Sequence, residues 1–365
     1  MAQDPIVRLF HDVRGLIVSA RHAAARSIDT LQVLTNFEIG RLIVEHEQSG
    51  RKRAQYGGEM LKDLSGRLSA EFGRGFSEDN LSNMRRFYLE YRDRLQAISE
   101  KPSRKLSSSG EVAGDSGSDR FLRQQSSLIK DVFVLSWSHY VFLCRIEDAS
   151  ERSFYEIESR EGSWSVPELK RQFDSGLYER LALSKKKGEV KRLAQKGQIV
   201  EKPSDLLKQP YVLEFLGIDE RSGYTETDLE SAIIDKLEHF LLEMGKGFLF
   251  EARQKRFTFD ADHFYVDLVF YNRLLRCYVL IDLKIGKLTH QDLGQMQMYV
   301  NYFDRHVKSS AEAPTIGIVL CKMKNSALVE LTLPPNSQVY ASAYQLYLPS
   351  KGELKNKLME WSKDL

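Results

Sequence analysis

Residues 264–284 read FYVDLVFYNRLLRCYVLIDLK, and the reading of these two apolar runs decides the fold. In the run Tyr265–Tyr271, Val266, Leu268 and Phe270 alternate with Tyr265, Val269 and Tyr271. Both faces are apolar, as in a central strand. Asp267 nevertheless stands in its middle, and burying an unpaired carboxylate is costly. The next run repeats the anomaly: after Tyr278-Val279-Leu280-Ile281, alternation puts Asp282 and Lys284 on one face and Leu283 on the other. If the loop spans Asn272 to Cys277, Asp267 lies directly across from Asp282, with Cβ atoms about 5 Å apart. A tight Asn272-Arg273 turn would displace them by several residues. Two carboxylates that close repel unless a divalent cation sits between them, and hard oxygen ligands suit Mg²⁺ or Mn²⁺. The Lys284 ammonium, two residues along the same face, would polarise a nearby water and stabilise charge developing on phosphorus. A buried Asp–Lys ion pair is the bland reading of a bare D-x-K.

Outward from this hairpin, the segment Asp228–Met244 (DLESAIIDKLEHFLLEM) predicts a helix ending at Gly245 with a left-handed cap. Glu230 shares its core-facing stripe with Ile234, Leu237 and Leu241; an ordinary acidic first-turn residue is the alternative. The run GFLFEARQKRFTF supplies a strand before the hairpin. A helix from about Gln291 to Arg305 follows, with Gln295 and Tyr299 four apart on one face. Two more strands, in TIGIVLC and VYASAYQLYL, complete an α-β-β-β-α-β-β order. Residues 208–350 are therefore expected to form an α/β domain with a mixed sheet, trailed by a charged helix over 351–365.

Residues 1–100 read as helical. A helical pattern from Gly58 to Phe72 stops at Gly73-Arg74-Gly75 and restarts at Ser77, a shape like a helix-turn-helix. Residues 51–94 hold ten basic and seven acidic side chains, with Asn83, Arg85, Arg86 and Arg92 on or beside the second helix. A DNA reader and two helices of a bundle fit equally well. The eight serines of 103–127 predict a flexible insertion over 101–127, and 128–205 continues the helices. Lys185–Lys202 carries seven basic and two acidic residues, either a solvated linker or a strap along phosphates.

The chain of 365 residues has 53 basic and 51 acidic side chains, so its net charge of +2 leaves any polyanion site to be local. Cys144, Cys277 and Cys321 lie far apart in apolar stretches, as reduced buried thiols do. No apolar run spans a bilayer and no secretory leader is evident, which predicts a cytoplasmic protein without a membrane partner. Phosphate-loop, dinucleotide and nucleophile-elbow motifs are missing from the sequence.

Helix Glu230, strand Asp267, then Asp282-Leu283-Lys284 and Gln295-x-x-x-Tyr299 resemble the PD-(D/E)xK nuclease superfamily, in its RecB-like branch with a Q-x-x-x-Y helix. The likeness to YhcG-type nucleases runs nearly end to end, through NMRRFYLEY (83–91), LSWSHYVFL (135–143), FYEIESREGSWSVPEL (154–169), PYVLEFLG (210–217), FLLEMGKGFLFEARQKR (240–256), GQMQMYVN (294–301) and LYLPSKGEL (346–354). The resemblance implies a restriction-endonuclease-like core. It implies that Asp267 and Asp282, with the Leu283 carbonyl, ligate the metal. Glu230 would hold a water there, Lys284 would assist its attack, and Gln295 with Tyr299 would position site or substrate. The amino-terminal helices would match a DNA-binding domain. Val266 stands where the signature has proline, and Asp282 where glutamate is commoner.

The expected activity is Mg²⁺- or Mn²⁺-dependent hydrolysis of DNA, branched and single-stranded forms included, in processing, recombination or defence. Arg253, Lys255, Arg256 and Lys287 would track the backbone beside Arg85 and Arg86, and a homo-oligomer would serve to cut both strands. A non-catalytic DNA-binding or assembly subunit with a nuclease-like fold is the competing expectation.

Overall fold

The computed structural model describes residues 29–48, 54–99, 132–185, 187–219, 223–259, 261–334 and 336–363. The serine-rich segment expected to be flexible, 101–127, lies outside them, as does the start of the helical pattern before residue 29. The chain forms two compact units, Met1–Arg152 and Ser153–Leu365.

In the first unit, α1 (29–48), α2 (Ala54–Phe72), α3 (Glu78–Ser99) and α4 (Trp137–Leu143) gather around aromatic rings. Phe87 meets Phe37, Phe133, Trp137 and Tyr140 at centroid distances of 5.7, 5.1, 5.5 and 4.9 Å. The turn between α2 and α3 falls at Gly73-Arg74-Gly75 as expected, and the Ser77 hydroxyl accepts the Asn80 N–H at 3.3 Å. Asn80 also accepts Trp137 Nε1–H at 3.0 Å, which fastens the turn to α4. Arg85 is spent on Glu47 at 2.7 Å, whereas Arg86 on the same helix is exposed.

The second unit begins with α5 (Ala149–Glu161), α6 (Val166–Asp174), α7 (Leu177–Leu183) and α8 (Lys187–Lys196). The division at Arg152/Ser153 falls within α5, and from Ser153 onward these helices belong to the same compact unit as the sheet. The reason is electrostatic: Arg180 of α7 is fully buried against Glu243, and Arg171 of α6 reaches both Glu214 and Glu243. The described residues of the basic segment 185–202 fold and do not run as a free linker. Its α8 buries Leu193 and Ala194, and Lys185, Lys202 and Arg192 pair with Asp205, Glu189 and Glu201 at 2.8, 3.0 and 3.2 Å.

The sheet contains β1 (Tyr211–Val212), β2 (Phe248–Phe259), β3 (Asp262–Asn272), β4 (Cys277–Lys287), β5 (Ile316–Met323) and β6 (Val339–Gln345) in the order β1-β6-β5-β4-β3-β2. β2, β3 and β4 pair antiparallel; β4, β5, β6 and β1 pair parallel. This is the expected mixed sheet of a restriction-endonuclease-like core. The short β1 and the helix α12 (Ser326–Thr332) are additions that no periodic run announced.

The helix expected over Asp228–Met244 is two helices, α9 (Glu226–Asp235) and α10 (Leu237–Met244), because Lys236 leaves helical geometry at φ −117°, ψ 32°. Gly245 ends α10 with φ +100° and ψ −150°, a conformation open to glycine but not the expected left-handed cap. Leu229, Ile233, Phe240 and Met244 pack on Leu268, Phe270, Ile281 and Leu283. On the opposite face α11 (His290–His306) lays Leu293, Met296, Tyr299 and Phe303 over Val269, Leu280 and Val319. Its close approach needs Gly317, where a Cβ would stand 2.6 Å from the Met296 side chain. α13 (Lys351–Lys363) is the expected terminal helix.

Candidate active site

The turn between β3 and β4 sets the geometry. Buried Asn272 accepts the N–H groups of Leu274 and Leu275 at 3.1 Å each and donates its amide to the Lys246 carbonyl at 3.0 Å. This locks a four-residue loop, Arg273–Arg276, in place of a tight turn. Pairing runs from Asn272↔Cys277 to Leu268↔Ile281, and one further step puts Asp267 opposite Asp282. There the ladder opens. Asp267 Oδ2 accepts the Leu283 N–H at 2.9 Å. The N–H and C=O of a strand residue face the same neighbour, so the Leu283 carbonyl also faces the Asp267 side.

Asp282 follows Leu280 onto the α11 face of the sheet, whereas the alternation of β3 switches at Asp267, since Val266 and Val269 both pack on that face and Leu268 and Phe270 on the other. Asp282 is 2 % exposed. Burial, and then the charge of Asp267, push its carboxyl up to about 7, against the opposing pull of Lys284. Lys284 Nζ lies 2.8 Å from Asp282 Oδ2 and 3.6 Å from Glu226 Oε2. Burial lowers the pKa of this ammonium, but Asp282, Glu226 and Asp267 outweigh burial and hold it above its ordinary value.

Glu230 is buried beside Leu229 and Ile233 of α9; the stripe expected through Leu237 and Leu241 is cut by the break at Lys236. Its Oε2 accepts the Gln254 amide at 2.6 Å, and its Oε1 lies 3.1 Å from Arg253 Nε. The same Gln254 nitrogen donates to Asp267 Oδ1 at 3.0 Å. Gln254 was not foreseen from the sequence; it sits within a polar run, EARQKR, where nothing distinguishes it from its neighbours. From α11, whose N-terminus is closed by a Thr289/Asp292 capping box, the Gln295 amide donates to the Tyr299 hydroxyl. Burial holds the Tyr299 phenol above its usual range; the bond from Gln295 opposes this, and the charges of Asp282 and Asp267 add to it. The structure thus brings Glu230, Asp267, Asp282, Leu283, Lys284 and Tyr299 together, with Gln295 at the exposed rim.

The basic residues fare unevenly. Arg253 pairs with Glu230 from an exposed position on β2, and Arg256 contacts His263 Nε2 at 2.8 Å. Lys255 stands 3.8 Å from Glu251, and Lys287 is exposed at the end of β4. Four carboxylates, Glu226, Glu230, Asp267 and Asp282, therefore share two cations, Lys284 and Arg253, so that with every group ionised the acids would outnumber the bases by two. Two buried oxygens, Asp282 Oδ2 and Glu230 Oε1, touch those cations at ion-pair distance without an aligned hydrogen bond. Among the described residues, no three His, Cys, Asp or Glu side chains form a ready-made cage for a metal ion. The donor set nevertheless fits a divalent cation of the Mg²⁺ class: hard oxygens, carboxyl groups in excess of cations, and free lone pairs.

Residues 204–359 match the family described as "YhcG PDDEXK nuclease domain", and residues 12–180 match the "DUF1016 N-terminal domain". The chain is 39% identical over 352 residues to the Escherichia coli (strain K12) protein named "Putative nuclease YhcG", spanning 96% of this chain and 92% of that one. Two solved structures align with 35% of the chain. They are a repair endonuclease from Pyrococcus abyssi (18% identity, TM-score 0.24) and an EndoMS-dsDNA2 complex (17% identity, TM-score 0.25). The aligned part spans 50% and 47% of their respective lengths.

Proposed function

This chain belongs to the YhcG family of PDDEXK nuclease-domain proteins, and on that footing we propose that it is a metal-dependent deoxyribonuclease that hydrolyses DNA phosphodiester bonds. The observation that carries the reading is that Asp267 stands opposite Asp282, at a point where the sheet opens and the carboxyl groups outnumber the cations beside them. A structural ion pair has no need of that excess. Asp267, Asp282 and the Leu283 carbonyl would hold Mg²⁺ or Mn²⁺, with Glu230 beside them. When bound, such an ion lowers the pKa of water and offsets charge on the scissile phosphate. Lys284, kept charged by Asp282, would stabilise the developing negative charge, and Glu230, gripped by Arg253, would orient the attacking water. The Gln295–Tyr299 pair would shape the rim of the site. Exposed Lys255, Arg256 and Lys287, and Arg86 in the helical unit, would meet the DNA backbone. In this reading the protein works on DNA in the cytoplasm, in processing, recombination or defence, as a homo-oligomer where both strands are cut.

The test is cleavage of plasmid, single-stranded and branched DNA, and of RNA, with Mg²⁺ or Mn²⁺, beside Asp267→Ala and Lys284→Ala. The wild type should cut DNA, and each variant should lose about 10³-fold in rate, of the order seen for single electrostatic groups in active sites. Equal cleavage by all three would defeat the reading. One observation favours a non-catalytic DNA-binding or assembly subunit: Asp267 already spends an oxygen on Leu283 N–H and the other on Gln254. DNA binding without carboxylate-dependent affinity for Mn²⁺ would decide for that alternative.

A further inference from the structure

Along β2, successive side chains should point to opposite faces, so Arg253 and Gln254 should not reach the same group. They do. Arg253 Nε lies 3.1 Å from one oxygen of Glu230 and the Gln254 amide 2.6 Å from the other. The convergence has a visible cause in the backbone: Gln254 is at φ +44°, a left-handed conformation that non-glycine residues rarely hold, and strain of this kind collects at functional sites. Pairing of β2 with β3 is recorded at Arg253↔Leu268 and Lys255↔Val266 and skips the step between them, where Gln254 would face Asp267. The carboxamide thus lies at the head of a row that continues across the sheet through Asp267 and Asp282.

We propose that Gln254 is a positioning residue of the site, whose single amide nitrogen joins Glu230 to Asp267 and so fixes both carboxylates toward one divalent cation. The proposal deepens the nuclease reading and rests on it. Its chemistry explains the residue type. A lysine or arginine at this place would neutralise the carboxylates and compete with the ion; an acid would add a further repulsion. An uncharged amide supplies two N–H donors, ties the two anions together, and leaves the surplus of carboxyl groups intact for the metal.

The test uses the full chain and Mn²⁺ as the probe. Titration calorimetry would compare the wild type with Gln254→Ala, Gln254→Asn, Gln254→Gly and, as a control, Asp282→Ala. Thermal unfolding of the metal-free proteins is followed in parallel. Asparagine and glycine tolerate the left-handed backbone, but the shorter amide does not span both carboxylates and glycine has none. All three Gln254 variants should bind Mn²⁺ about 10- to 100-fold more weakly, the range for groups that orient metal ligands. Gln254→Gly should melt no lower than the wild type, because it relieves the strained φ. A purely structural role would instead tie the affinity loss to a fall in melting temperature. Wild-type affinity in Gln254→Ala and Gln254→Asn overturns the proposal, as does weakened binding accompanied by destabilisation in all three variants. If the wild type itself binds no Mn²⁺ in a manner that Asp282→Ala abolishes, the nuclease reading falls, and this inference with it.

Discussion

Among the buried carboxylates of the second unit, Glu243 at the end of α10 and Asp282 in β4 have surroundings that differ in kind. Glu243 accepts from Arg180 Nη1 at 2.5 Å, from Arg171 Nη1 at 3.3 Å and from the Val212 N–H at 3.0 Å, and Lys208 donates to its backbone carbonyl. Burial alone would raise its pKa, but Arg180, Lys208 and Arg171 together hold it down at about 2. Asp282 has one cation nearby and a second carboxylate opposite it, and its pKa goes up to about 7. A charge cluster that serves the fold is neutralised and saturated with donors. One that is left short of positive charge costs stability unless something outside the chain completes it, which is the physical content of a candidate metal site.

The sharpest way to break the contrast is to remove a charge from the saturated cluster. Glu243→Gln should lose about 3–5 kcal/mol in urea unfolding, because it strands Arg180 and Lys208 in the interior. A loss below 1 kcal/mol would put the two sites on one footing. The sign with pH follows: the folded pKa of Glu243 lies below its unfolded value, so its contribution is present above about pH 4.5 and is lost as pH falls toward 2. Next in size is the response to metal. A hundredfold excess of Mg²⁺ over its dissociation constant should stabilise the wild type by about 2.7 kcal/mol and leave Asp282→Asn unmoved, read as a shift in melting temperature. An equal shift in both would place the ion elsewhere.

The smallest effect is the most diagnostic. The folded pKa of Asp282 lies above its unfolded value, so stability is full below about pH 4 and falls as pH rises through 7. Metal-free Asp282→Asn should therefore be more stable than the wild type at pH 8, by about 1–3 kcal/mol, and equal to it at pH 4. Loss of stability at pH 8 would make Asp282 a structural partner of Lys284 like any buried ion pair.

Much of this site was legible before any coordinates. Acidic residues interrupting doubly apolar strands stood out because the sheet interior tolerates them so poorly, and the alternation of β4 placed Asp282 and Lys284 on one face directly. The Gln295/Tyr299 pair was legible from its four-residue spacing, whereas the stripe that singled out Glu230 assumed a continuous helix that the structure breaks at Lys236. The basic segment 185–202 misled because composition records charge and not partners: Asp205, Glu189 and Glu201 turn an apparent linker into a packed helix. Arg85 and Arg253 show the same limit of composition: each has a glutamate beside it, Glu47 in one case and Glu230 in the other.

The sequence by itself determined the mixed α/β core, its order of elements and the identity of the acidic residues, since periodicity and the cost of burying charge are local properties that each segment carries along its length. Only the tertiary structure decided the register, through the Asn272 loop, and the part played by Gln254, through a positive φ that defeats strand alternation. Both depend on which groups meet across strands and on a single backbone torsion, and neither leaves a mark in composition or spacing.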